Sequence, residues 1–165
     1  MIIFWALGAL VVLFGFVALV GAPYVPSLRK EVRAAFDTLY PIGNDDVVVD
    51  LGSGDGVVLR EAASRGARCI GYELNPLLVV FSNIRLGKAG TVTLGDMWQA
   101  TLPPDVTLVY VFTVSRDSRK LGRYLQTQAN EQNRSIRVMT FGSELKDYVP
   151  SKRLKAHSLY EISPN

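Results

Sequence analysis

From Ile2 to Val20 the chain is almost unbroken Ile, Leu, Val, Phe, Ala and Gly, and no charged side chain occurs before Arg29. About 20 such residues, at about 1.5 Å rise each, match the roughly 30 Å hydrocarbon core of a bilayer. The pattern predicts a transmembrane helix within residues 1–22 and a separate domain over residues 23–165. A cleaved signal peptide would carry side-chain cations ahead of its apolar core, and a buried core helix would show a polar face; this run has neither. Arg29, Lys30 and Arg33 follow it, so the positive-inside rule places the domain on the cytoplasmic side of a cell membrane.

Beyond the run the pattern alternates between helical and extended periods. Gly21 to Ser27 holds two prolines and reads as a stiff connector, with Ser27 as N-cap of a helix to about Leu39 whose inner face is Leu28, Val32, Ala35, Phe36 and Leu39. Val47 to Val49 form a first apolar strand, and Val58, Leu59, Ala62 and Ala63 then recur at helical spacing until Gly66. Arg68 to Glu73 is a second strand; Asn75-Pro76 starts a helix whose inner side is Leu77, Leu78, Phe81, Ile84 and Leu86. Thr91–Leu94, Val106–Phe112 and Arg137–Phe141 are further strands, with a helix from Arg116 to Ala129 that turns Leu121, Tyr124 and Leu125 inward. The tail from Asp147 to Ile162 predicts a closing antiparallel pair. Strands alternating with helices make an α/β chain with a mostly parallel sheet and helices on both faces.

The first strand runs into Asp50-Leu51-Gly52-Ser53-Gly54-Asp55-Gly56. Glycines at every second position leave no side chain between the backbone and whatever lies above the turn, and a strand–glycine turn–helix unit places N–H groups at the carboxyl end of a parallel sheet. The spacing departs from the dinucleotide fingerprint, because Val57 occupies the position of its third glycine. Glu73 ends the second strand 21 residues beyond Gly52, the offset at which nucleotide-binding α/β domains place a carboxylate for ribose hydroxyls.

Composition narrows the chemistry. The apolar fraction of 48% is concentrated at the front, and the net charge of +3 lies entirely after residue 28. Cys69 is the only cysteine, which excludes an internal disulfide and a cysteine-rich metal site. His157 is the only histidine, so a Ser-His-Asp site would have to be built around the tail. Lys146, Lys152, Arg153 and Lys155 cluster near the end, and with Arg29, Lys30 and Arg33 they form either a patch that holds the domain against anionic lipid or a solvated face. No basic strand is interleaved with aromatics, so nucleic acid is not an expected partner, and no metal is implied.

The acid followed by G-x-G-x-G, with a second acid at Glu73 and a third at Asp96 after the third strand, resembles the class I, seven-β-strand S-adenosylmethionine-dependent methyltransferases. The resemblance implies a Rossmann-like fold and a cofactor site built from Asp50, Gly52, Ser53, Gly54, Gly56, Glu73, Leu74, Asn75, Asp96 and Met97. In that pattern Asp50 reaches the ammonium group and lies in the field of the sulfonium, Glu73 takes the ribose, Leu74 packs on the adenine, and Asp96 accepts from its amino group. Trp98 either closes the pocket or anchors the loop. The helix ahead of the first strand either covers the cofactor or only packs on the sheet. An Asn/Asp-Pro-Pro-Tyr motif is replaced after the fourth strand by Thr113-Val114-Ser115, which disfavours planar nitrogen acceptors.

Together with the apolar run, Pro23-Tyr24-Val25-Pro26-Ser27, Gly71-Tyr72-Glu73-Leu74-Asn75-Pro76 and Asp96-Met97-Trp98 look like the small membrane-anchored methyltransferases whose mitochondrial members modify lysines of the ATP synthase c-subunit and the adenine nucleotide translocase. The resemblance implies transfer of methyl groups to a lysine of a membrane-associated protein, with the amine desolvated in a channel past Tyr24, Val25, Pro26, Phe112 and Thr113. Methyl transfer to a quinone or lipid, and non-catalytic binding of S-adenosylmethionine, are the alternatives. No residue is singled out as a general base.

Overall fold

Val47–Leu51 (β1) is buried along its whole length, as only a strand in the middle of a sheet covered on both faces can be. The computed structural model describes Met1, Phe4, Trp5, Gly8 and residues 29–165. β1 pairs in parallel with Arg68–Glu73 (β2) on one side and Leu108–Thr113 (β4) on the other. Gly90–Leu94 (β3) extends the sheet beyond β2, and Ile136–Gly142 (β5) extends it beyond β4. His157–Ile162 (β7) then runs antiparallel between β5 and the short Lys152–Leu154 (β6). The order β3-β2-β1-β4-β5-β7-β6 contains the expected closing antiparallel pair. It reverses direction between β1 and β4, and the carboxyl ends of those strands flank the crevice where open α/β sheets bind ligands.

Two cores separate the sheet from its helices. Arg29–Thr38 (α1), Val57–Ala63 (α2) and Pro76–Leu86 (α3) cover one face through Val32, Phe36, Leu59, Ala62 and Leu86, packed on Val48, Val92 and Tyr110. Ser118–Gln132 (α4) covers the other through Leu121, Leu125 and Ala129, packed on Val49, Val109 and Val138. Strand parity accounts for the division, since successive side chains point to opposite faces.

Buried polar contacts fix the helices. Glu61 of α2, with its side chain 1% exposed, receives Arg29 at 2.9 Å, Arg33 at 3.1 Å and Arg65 at 2.5 Å, and so joins α1 to α2. Asn83 of α3 accepts from the Val92 N–H and donates to the Val92 carbonyl, each at 2.8 Å, and so holds α3 to β3.

Several expectations change. The long helix begins at Ser118 and runs to Gln132, because Ser118 and Gln128 are buried and Gln128 Oε1 accepts from the Leu102 N–H at 2.8 Å. In α3 the expected inner side is largely wrong: Leu77, Phe81 and Ile84 are exposed, and Ser82 and Leu86 are the buried positions. The helix is apolar on too many sides for periodicity to select one, and Ser82 and Asn83 select it by hydrogen bonds. The transmembrane reading of residues 1–22 falls largely outside the described residues, as does Ser27; among the described residues no helix is long and apolar enough to cross a membrane.

Candidate functional site

After Leu51 the chain turns through Gly52, Ser53, Gly54, Asp55 and Gly56 into α2. Gly52 at φ 85°, Gly54 at φ 54° and Gly56 at φ 75° hold left-handed backbone that side chains with a Cβ rarely adopt. At Gly56 a Cβ would also lie 2.9 Å from Ser82 Oγ and 3.3 Å from Ser82 Cα, so α3 seats directly against the turn. The N–H groups of Gly52 and Ser53 donate to the Tyr72 carbonyl at 2.9 and 3.0 Å, tying the turn to β2. From α3, Ser82 donates to the Gly54 carbonyl at 2.8 Å, and Arg85 reaches the Asp55 carboxylate at 2.6 Å. Ser82 and Arg85 thus support the turn, which nothing in their spacing, about 30 residues away in sequence, discloses.

Glu73 is buried at the end of β2. Its Oε2 accepts from the Gly54 N–H and its Oε1 from the Asn75 N–H, each at 2.8 Å. Each oxygen keeps a further lone pair for a ligand hydroxyl. Asn75 Oδ1 caps α3 by accepting from the Leu77 N–H at 3.0 Å, and half-buried Leu74 lies between these two anchor points. Gly95 donates to the Glu73 carbonyl at 3.0 Å, which sets the exit of β3 beside that of β2. There Asp96 Oδ1 accepts from the Trp98 N–H at 3.0 Å, and Asp96 and Met97 are half-buried. Asp50, Glu73 and Asp96 therefore close three adjacent strands along one edge of the sheet.

Asp50 differs from the other two. Its residue is 3% exposed, and its carboxylate makes no hydrogen bond among the described residues. Burial, then the charges of Glu73 and Asp55, push its pKa well above the carboxylate range. A cation beside it would reverse that strain, so the site is electrostatically prepared for a positively charged ligand. Two of the buried side-chain atoms without a hydrogen-bond partner flank the same turn: Asn75 Nδ2, and Ser53 Oγ, which is turned under the loop toward Gly71.

The surroundings resolve two open readings. Trp98 anchors its loop to α4: Lys120 Nζ lies 3.9 Å above its ring, and Tyr124 meets it edge-on at 6.3 Å. His157 is a core residue, its Nε2 2.9 Å from the Tyr110 hydroxyl and its ring 4.8 Å from that of Phe141. Burial, opposed by the charge of Glu31, lowers its pKa to about 4. Phe112 and Phe141 form a half-buried aromatic pair, 6.0 Å apart, at the carboxyl ends of β4 and β5, and Thr113 is buried beside them. Tyr24, Val25 and Pro26 lie outside the described residues. Cys69 is buried, with its thiol pushed up to about 12 by burial and then by Asp50. Among the described residues no group of three or more His, Cys, Asp or Glu is placed to hold a metal ion.

A seven-strand sheet of this order, with an acid ending each of its first three strands beside a glycine turn, is the fold of the class I methyltransferases. In structure the chain matches an RNA methyltransferase from Salinibacter ruber, solved with S-adenosyl-L-homocysteine, at a TM-score of 0.71 and 24% identity over 86% of this chain and 95% of that one. A geranyl diphosphate methyltransferase solved with S-adenosylmethionine matches at a TM-score of 0.55 and 19% identity, over 68% of this chain and 48% of that one.

In sequence its relatives are protein-lysine N-methyltransferases. It is 33% identical over 119 residues to the lysine N-methyltransferase of the ATP synthase c-subunit from Xenopus laevis, covering 69% of this chain and 51% of the relative. It is 35% identical over 86 residues to the adenine nucleotide translocase lysine N-methyltransferase of Mus musculus, covering 48% and 37%. A protein-lysine N-methyltransferase of Saccharolobus islandicus is 27% identical over 141 residues, 81% of this chain and 84% of that one. The chain spans about half the length of the first of these relatives. No protein-family model matches it.

Proposed function

We propose that the protein is a membrane-anchored, S-adenosylmethionine-dependent methyltransferase that modifies a lysine side chain of a membrane-associated protein. The observation that carries the cofactor reading is the buried, unpartnered Asp50 carboxylate beside the glycine turn. The cofactor, when bound, supplies a cationic sulfonium whose methyl group is electrophilic. Asp50 balances that positive charge or the ammonium beside it. Glu73 accepts from ribose hydroxyls with the lone pairs its backbone partners leave free, and Asp96 Oδ2 accepts from the adenine amino group. The glycine turn contributes an unobstructed floor.

The names of the sequence relatives support lysine as acceptor. A lysine amine, with a pKa near 10.4 in water, has to shed its proton before it can attack, and desolvation favours the neutral form. Phe112 and Phe141 give the crevice an apolar wall at the carboxyl ends of β4 and β5 that excludes water there. The anchor reading rests on the sequence of residues 2–20, and the cations that follow support a cytoplasmic orientation by the positive-inside rule.

Membranes carrying the protein, incubated with S-adenosylmethionine labelled in the methyl group, should put label into a protein band. Label extracted only into organic solvent would overturn the lysine assignment in favour of a lipophilic acceptor. Glu73→Ala removes two charge-assisted contacts to the ligand and should weaken cofactor binding roughly 100-fold. Unchanged binding by this variant would refute the site.

A further inference from the structure

One face of α3 is left bare in an otherwise well-held helix. Leu77 is 40% exposed, Val80 56%, Phe81 59% and Ile84 74%. These positions recur at three- and four-residue steps, so they form one stripe. Leu94, 57% exposed at the end of β3, lies on the same side of the sheet, because it shares the parity of Val92, which packs with Leu86 of α3. The helix has no freedom to roll this stripe inward. Asn83 grips both polar groups of the Val92 backbone, Ser82 holds the Gly54 carbonyl, and Arg85 holds Asp55.

The charges on the stripe's own stretch of chain have one sign. Between Glu73 and Asp96 the sequence has two cations, Arg85 and Lys88, and no acid. An apolar stripe of Leu, Val, Phe and Ile edged by cations is the composition of a helix that lies in a lipid interface. Arg85 is already paired with Asp55, and a second copy docked about a two-fold axis would instead set the Lys88 of each copy on a face whose own stretch of chain offers no acid to pair it. Three of the four terminal cations are engaged elsewhere: Lys152 donates to the Leu39 carbonyl, Arg153 pairs with Glu144, and Lys155 with Glu31. Reach is also favourable. Residues 21–28 separate the apolar run from α1, a connector that spans at most about 28 Å, and α1, α2 and α3 share one layer.

We propose that Leu77, Val80, Phe81, Ile84 and Leu94 seat on the lipid surface, with Lys88 at the anionic headgroups. The inference rests on reading residues 2–20 as a membrane anchor. Because α3 begins directly after Glu73-Leu74-Asn75, this seating brings the mouth of the cofactor site to the level of the headgroups. A lysine only a short distance from the bilayer is then within reach, and one far from it is not.

The full chain carries one cysteine, Cys69, which is buried, so a single introduced thiol reports alone. Ile84→Cys and, on the opposite layer, the exposed Thr127→Cys are labelled with an environment-sensitive fluorophore and reconstituted into vesicles of phosphatidylcholine and phosphatidylglycerol, with or without doxyl-labelled chains. The label at position 84 should be quenched several-fold more strongly by doxyl lipid than the label at 127. Protein that floats with the vesicles but shows equal quenching at both sites leaves the anchor standing and overturns the seating. A blue-shifted label at 84 that doxyl lipid fails to quench means that a second copy, or another segment of the chain, covers the face, and also overturns it. Protein that does not float refutes the anchor and the seating together.

Discussion

Glu61 offers the most quantitative test of how α1 is held over the sheet. Burial by itself would raise the pKa of its carboxyl, but Arg29, Arg33 and Arg65 together outweigh burial and bring it from 4.5 to about 2. A depression of that size corresponds to about 3 kcal/mol of stability at neutral pH. The pairs give a similar figure. Arg29 and Arg33 are 55% and 56% exposed, so each is worth about 0.5 kcal/mol, whereas Arg65 is 17% exposed and worth about 1–2 kcal/mol. Glu61→Gln keeps the shape and removes the charge, and should cost about 2–3 kcal/mol, or roughly 5–10 °C in Tm for a chain of this size. Because the folded pKa is depressed, the stability is fully present above about pH 4.5 and is lost as pH falls toward 2. Urea unfolding of both proteins in detergent should therefore show a gap that shrinks to under half by about pH 3. A gap that is absent at pH 7, or that stays constant down to about pH 3, would refute the proposed role of the charge.

Other outcomes follow from the site and its supports. Asp50→Asn removes a buried, unpartnered charge, so it should raise the Tm of the cofactor-free protein while weakening S-adenosylmethionine binding roughly 10- to 100-fold; thermal melts and calorimetry check the two opposite signs. In the parent protein, binding should tighten as pH rises through the elevated pKa of Asp50, and this dependence should be absent from the variant. Gly56→Ala forces a Cβ into left-handed backbone and against Ser82, and should cost about 2–3 kcal/mol by chemical denaturation along with cofactor affinity. His157 is the only histidine, so its imidazole signals in an NMR titration should stay unmoved from pH 8 to about pH 5.5 and shift near pH 4. Since burial lowers its folded pKa, the fold should lose stability as pH falls from about 6.5 toward 4.

The glycine turn and β2 were legible in the sequence because their signals are local. β-branched runs, glycines that must adopt positive φ, and an acid at a fixed offset each declare themselves within a few residues, and β2 falls on its expected residues Arg68–Glu73. The Asn75 cap could be read for the same reason. The orientation of α3 was hidden, because Leu77 to Phe81 are five consecutive apolar residues, and the inward side is chosen by the polar Ser82 and Asn83. The Glu61 cluster was hidden too: Arg29 and Arg33 are 32 and 28 residues away from it, and only the packing of α1 on α2 brings them together. Sequence placed Asp50 at the site, but its lack of a hydrogen-bond partner is a property of the folded surroundings.

The Asn83 clamp also governs how this molecule can meet others. β3 ends the sheet on one side, and there the N–H and carbonyl of Val92, which would otherwise offer a docking rail to an extended peptide, are already occupied. At the opposite margin β6 is three residues long, too brief to template a guest strand. The clamp thus interrupts the ladder edge at the middle of β3, and removing it with Asn83→Ala would open a margin prone to edge-to-edge association.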